Sequence, residues 1–112
     1  MTDCLFCKIA LKEIRSKVVF ESDDIFAFHD INPQAPVHIL IIPKRHIATL
    51  DELDESSHSI IGKLSYVASK IAKDMNLEGY RLVFNNNEIA GQSVFHIHCH
   101  LLGGRPMNWP PG

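Results

Sequence analysis

His96, His98 and His100 stand at every second position near the end of the sequence, the densest run of chemically capable side chains in it. In an extended strand, alternate side chains share a face, so this spacing aligns three imidazoles. Ile97, Cys99 and Leu101 then point the other way, into a core. A neutral imidazole has a free lone pair near pH 7 and can act as nucleophile, base or metal ligand. Three in a row serve no packing purpose that Val or Ile would not serve better. One reading is a metal shared by neighbouring imidazoles. The other is nucleophilic catalysis, in which one imidazole attacks and its neighbours donate and orient. The residues upstream favour the second: Gly91-Gln92-Ser93, with Asn85 nearby, offer backbone, amide and hydroxyl donors for a phosphate and a leaving group. The strand carries no Asp or Glu to complete a catalytic zinc set.

A second constellation lies at the other end. Cys4 and Cys7 form a CxxC pair, and Cys99 makes the cysteine count odd. That is a poor disulfide framework; reduced thiols, or thiolates on a metal, fit better, and a redox pair stays open.

The elements that must position these groups follow from periodicity. Leu5, Ile9 and Lys12 have helical spacing, predicting a short helix over residues 4–14. Val18–Phe20 and Ile25–Phe28 are β-rich runs around Glu21–Asp24 and read as a hairpin. Asn32–Pro36 is a turn, since each proline pushes its predecessor out of the helical region. Val37–Pro43 is apolar on both faces, as in a covered central strand. Ile60, Ile61, Leu64, Val67, Ile71 and Met75 recur every three or four residues, giving one long helix with Asp54–Ser57 as caps and Gly79 as stop. Strands over Tyr80–Asn85 and Val94–Leu102 flank a loop containing Asn86, Asn87 and Gly91. The sum is an α+β domain, an antiparallel sheet with a long helix packed on it.

At 112 residues the sequence fits a single domain, residues 1–112, and 46% hydrophobic content is enough for a core. A net charge of −2 leaves no footprint for nucleic acid or an anionic membrane, and Lys44-Arg45 alone makes no basic stripe. Met1-Thr2-Asp3-Cys4 lacks the features of a signal peptide. The longest apolar run, Val37–Ile42, is interrupted by His38 and too short to span a bilayer. A soluble, cytoplasmic protein is expected.

With Leu101-Leu102 after it, His96-x-His98-x-His100 resembles the histidine-triad motif. Ser93-Val94-Phe95 before it and Gly103–Gly112 after it, ending Trp109-Pro110-Pro111-Gly112, resemble the nucleotide-binding branch of that family, the purine nucleoside phosphoramidases. Phe28–Pro36 and Pro43–His46 extend the similarity almost end to end. The resemblance implies a five-stranded antiparallel sheet with one long and one short helix, the sheets joined across a homodimer. It implies that His98 attacks the α-phosphorus of a nucleoside phosphoramidate, passing through a nucleotidyl-histidine to a nucleoside monophosphate. His100 then bonds phosphoryl oxygens, Ser93 donates toward the leaving nitrogen, and Gln92 and Asn85 add phosphate and ribose-side donors. His38 resembles the family's fourth histidine, and a core role is its competing reading. Asp30 resembles the ribose clamp, and its competing reading is a turn-capping Asp before Asn32-Pro33. Leu5, Phe6, Ile9, Phe28, Ile31 and Leu40 correspond to the purine slot, though each also suits an ordinary core. Cys4, Cys7, His46 and His96 match a structural zinc set, with no organic cofactor. Trp109 and the tail correspond to a segment reaching the partner subunit's active site. Asn86–Ala90 is bulkier than the Gly-rich loop of close relatives. The alternatives are hydrolysis of dinucleoside polyphosphates or adenylated sugars by the same histidine, a non-enzymatic nucleotide-binding protein, and a zinc hydrolase using the three histidines as ligands.

Overall fold

The computed structural model describes residues 3–111. The N-terminal reading at Met1 and Thr2, and the Gly112 end of the tail, lie outside the described residues. In chain order the elements are α1 (Leu5–Ala10), β1 (Val18–Glu21), β2 (Ile25–His29), β3 (Val37–Pro43), α2 (Ser59–Asp74), β4 (Tyr80–Val83) and β5 (Cys99–Gly103). The strands form one sheet in the order β1-β2-β3-β5-β4, and every neighbouring pair is antiparallel.

β3 is the central strand, as its two-sided apolar pattern requires, and it is buried from His38 onward. Alternation along the strands sorts the core into two layers. Ile25, Ala27, Ile39, Ile41, Cys99 and Leu101 pack with Leu64, Val67, Ala68 and Ile71 of α2. Phe26, Phe28, Leu40 and Ile42, on the other face, pack under Phe6, Ile9 and Ala10 of α1. Each large apolar side chain buried in this way contributes about 1.5–3 kcal/mol. The α2 layer is therefore the main source of stability, and the smaller α1 layer borders the histidines.

Four elements have bounds that differ from the sequence expectation. α1 spans six residues, not eleven, and Lys12 has a left-handed φ of 65° that halts it. α2 begins at Ser59, after a turn in which the Asp54 carboxylate accepts from Ser56 and Ser57. It stops at Asp74 because Asn76, at φ 57°, takes the left-handed position expected of Gly79. β4 ends at Val83 rather than Asn85. β5 starts only at Cys99 instead of Val94, because Ile97 donates its amide to Ile47, beyond the end of β3. The alternation nevertheless persists: Ile97, Cys99 and Leu101 enter the α2 layer while the three histidines lie on the α1 side. Among the described residues no helix is long and apolar enough to cross a membrane.

Candidate active site

α1 brings Cys4 and Cys7 to His46 and His96, and the four ligand atoms lie within 4.8 Å of one another. His96 Nδ1 is 3.3 Å from Cys4 Sγ, 3.5 Å from Cys7 Sγ and 3.3 Å from His46 Nδ1, with Cys7 Sγ to His46 Nδ1 at 3.4 Å. A tetrahedral zinc with ordinary bond lengths has N···N edges of about 3.3 Å and N···S edges of about 3.6 Å. The donor set and its spacing fit that ion, and four protein ligands close the shell, as in a structural site. His96 Nε2 donates to the Pro43 carbonyl at 2.7 Å, so its unprotonated nitrogen is Nδ1, facing the cluster. Burial pushes His96 down to about 4, which keeps that nitrogen free of a proton at neutral pH.

The second cluster is made of His38 on β3, His100 on β5 and His98 just before it. Its tautomers follow from donors of known direction. The Gln34 amide donates to His38 Nδ1 at 3.0 Å, so the His38 proton resides on Nε2. His38 Nε2 donates to His100 Nδ1 at 2.9 Å, which places the His100 proton on Nε2. His100 Nε2 is buried and, among the described residues, has no hydrogen-bond partner. An unmet buried donor normally costs about 1–3 kcal/mol, and at an active site it marks where a ligand acceptor belongs. His98 Nδ1 donates to the His96 carbonyl at 2.7 Å, leaving its Nε2 lone pair unprotonated. Phe6 packs edge-on against the His98 ring at 5.0 Å, and the His98 and His100 rings are 4.9 Å apart. Burial lowers the pKa of both rings, to about 4 for His100. Both rings are thus neutral at rest.

The remaining expected residues divide. Asp30 caps the turn, its alternative reading: Oδ1 accepts from the Asn32 amide at 2.8 Å, while Oδ2 lies 3.4 Å from His38 Nε2. Asp30 and His38 line a cavity of about 730 Å³ with Ile31, Arg15 and Lys17. Phe6, Ile9, Phe28 and Leu40 are buried in the α1 layer, whereas Leu5 is 44% and Ile31 99% exposed. The slot residues therefore separate into a packed floor and an open rim. Ser93 is exposed and lines a cavity with Cys4, Leu5 and His46. Asn85 lies against Gly91, at φ 101°, and borders a cavity shared with the tail residues Asn108, Pro110 and Pro111. Gln92 departs from the phosphate-donor expectation. Its amide donates to the Ala48 and Val94 carbonyls at 2.8 and 3.1 Å and accepts from the Asn87 amide at 2.8 Å. Both its donor hydrogens are used in holding the loop. Trp109 is 82% exposed and stacks 5.9 Å from the Arg81 guanidinium of its own chain. The three histidines do not converge on one metal, because His96 turns both nitrogens toward the cysteine cluster and Pro43.

Sequence reasoning missed the groups that fix the tautomers: the Gln34 amide and the Pro43 and His96 carbonyls. They are backbone atoms, which any residue type supplies, so no side-chain signal marks them.

A five-stranded antiparallel sheet that sets one histidine in a cysteine cluster and two more beside a fourth on β3 is the arrangement of a histidine-triad protein. The chain belongs to that family: residues 11–107 match the HIT domain. It is similar to the 14 kDa zinc-binding protein of Zea mays, at 55% identity over 96% of this chain and 87% of that one. Adenylylsulfatase HINT1 of Arabidopsis thaliana is 52% identical over 96% of this chain and 76% of its own length. A HIT family hydrolase from Legionella pneumophila, solved by crystallography, superposes with a TM-score of 0.95 at 54% identity, covering 98% of this chain and 100% of that one.

Proposed function

We propose that this protein is a purine nucleoside phosphoramidase, a hydrolase that releases a nucleoside monophosphate through a nucleotidyl-histidine. The observation that carries the reading is the pairing of an unprotonated His98 Nε2 with a buried, unmet donor at His100 Nε2. His98 Nε2 attacks the α-phosphorus, forming an N–P bond as the bond to the leaving amine breaks. The His100 N–H bonds a non-bridging oxygen, where negative charge grows in the transition state. Ser93, at the exposed rim, gives a proton toward the leaving nitrogen. Water then cleaves the N–P bond and returns His98 to its neutral form.

Asp30 Oδ2 and the adjoining cavity suit the ribose hydroxyls, and Leu5 and Ile31 flank the base over the Phe6, Ile9, Phe28 and Leu40 floor. Asn85 supplies a donor beside Gly91, and Gln92 serves by stiffening the loop. The same attack accommodates sulfate as leaving group, which is the chemistry named for the Arabidopsis relative. The zinc-binding name of the maize relative supports metal at Cys4, Cys7, His46 and His96. Bound there, zinc supplies a cross-link between α1 and the segment before β5. It steadies the His96 carbonyl that orients His98. The protein acts as a cytoplasmic homodimer whose tail, through Trp109, borders the partner subunit's site.

The test is AMP release from adenosine 5′-phosphoramidate by wild type and His98→Ala, with chelator present. Rapid release by wild type and none by the variant supports the reading. Equal release by both, or an inactive wild type, sinks it.

A further inference from the structure

The turn that follows β5 and the loop that precedes β3 meet beside the second histidine cluster. Gly104 has a left-handed φ of 91°, and a Cβ there would stand 2.9 Å from Pro36 Cβ, so the close approach needs glycine. The next residue, Arg105, donates Nη2 to the Gln34 carbonyl at 3.1 Å. Gln34 gives its amide to His38 Nδ1 at 3.0 Å, and His38 gives Nε2 to His100 Nδ1 at 2.9 Å. His100 lies on β5, whose chain runs on into Arg105. The contacts close a ring, in which Gln34 is clamped through its N–H on one side and its carbonyl on the other.

The clamp matters because the loop has little else to hold it. Residues 31–34 are exposed, and their other hydrogen bonds among the described residues are local ones, Asn32 amide to Asp30 and Gln34 Nε2 to the Asn32 carbonyl. Without a donor from Gln34, the tautomer of His38 with its proton on Nδ1 becomes competitive. His38 Nε2 then presents a lone pair to His100, which must move its own proton to Nδ1 and can no longer donate from Nε2. Asp30 Oδ2, 3.4 Å from His38 Nε2, favours the native tautomer too, so weakening the clamp shifts the balance without abolishing it.

We propose that Arg105 is a positioning residue: acting through Gln34, it sets the tautomer of His38 and so aims the His100 N–H at the phosphoryl group. The catalytic arm of this proposal rests on the phosphoryl-transfer reading above; the tautomer arm does not.

The experiment measures imidazole ¹⁵N shifts and phosphoramidate kinetics for wild type, Arg105→Ala, Arg105→Lys and Gln34→Pro. Wild type should show His38 protonated at Nε2 only. Arg105→Ala should show a mixture, with kcat down about fivefold and KM within about twofold, the scale of one ordinary hydrogen bond. Arg105→Lys retains a donor and should recover most of both signals. Gln34→Pro lacks the N–H and should lose about a hundredfold, the weight of a lost donor to the growing negative charge. Wild-type tautomers and wild-type kcat in Arg105→Ala overturn the proposal. So does a loss of kcat that tracks Tm with no tautomer change. If wild type turns over no phosphoramidate, the ¹⁵N shifts still decide the positioning claim while the catalytic reading fails.

Discussion

The two histidine clusters use the same side chain for opposite ends, and what separates them is which ring nitrogen a backbone group occupies. In His96 the Nε2 N–H donates to the Pro43 carbonyl, so Nδ1 is bare and faces two cysteine sulfurs and His46. In His98, two residues later, the Nδ1 N–H donates to the His96 carbonyl, so Nε2 is bare beside His100. Both carbonyls sit 2.7 Å from their imidazoles, and both rings are buried. The proposed ligand and the proposed nucleophile thus differ through the direction of a backbone acceptor rather than through burial or residue type. The clusters are also in series, since the carbonyl that orients His98 belongs to His96 of the cysteine–histidine cluster.

The sharpest way to break the comparison is to delete one histidine from each side. His98→Ala should cut nucleoside monophosphate release by about 10⁴-fold or more, as loss of a covalent nucleophile does, with Tm nearly unchanged. His96→Ala should do the reverse in emphasis, lowering Tm first. Similar kinetic losses with similar Tm values would erase the distinction. His100→Asn comes next: loss of the N–H that meets growing charge costs about 10²–10³ in kcat, with a smaller change in KM. An unchanged kcat would move the phosphate-facing role elsewhere.

Metal removal should act chiefly on stability. A ligand bound at a hundred times its Kd contributes about 2.7 kcal/mol, equivalent to a Tm shift of roughly 10–20 °C in a domain of this size. Chelation or Cys7→Ser should produce a shift of that order in calorimetry and reduce kcat only severalfold. A complete and immediate loss of activity at unchanged Tm would make the cluster catalytic instead.

Much of this arrangement was legible because its signals are side-chain periods. The two-sided apolar run of β3, the β1–β2 hairpin and the 60–75 helical pattern are each consequences of burial. The alternation at 96, 98 and 100 survives even where the ladder stops, since Ile97, Cys99 and Leu101 still need the α2 layer. The early ends of α1 and α2 were not legible, because Lys12 and Asn76 adopt left-handed backbones usually given to glycine. Nor was the fate of Gln92. An amide beside a catalytic strand looks like a phosphate donor until the Ala48 and Val94 carbonyls are found on it, and Ala48 is 44 positions away.

The smallest predicted effect concerns acid. Burial holds His100 at about 4, below the ordinary value near 6.5, with the nearby His98 and His38 charges adding to the shift. Between those two values the unfolded chain binds a proton at this position that the folded chain does not, so stability rises with pH through the window. His100 therefore costs nothing above about pH 6.5, and its contribution is lost progressively as pH falls toward about 4. Tm measured from pH 7 down to 4 should decline, and His100→Asn should flatten that decline by the share of one proton. The same displacement keeps the His100 N–H in its neutral tautomer, so its contribution to kcat should persist to about pH 5, well below the ordinary imidazole midpoint. An identical Tm slope in wild type and variant would mean that His100 is not the group resisting protonation. The resistance to protonation would then lie with the other buried imidazoles, His38, His96 and His98.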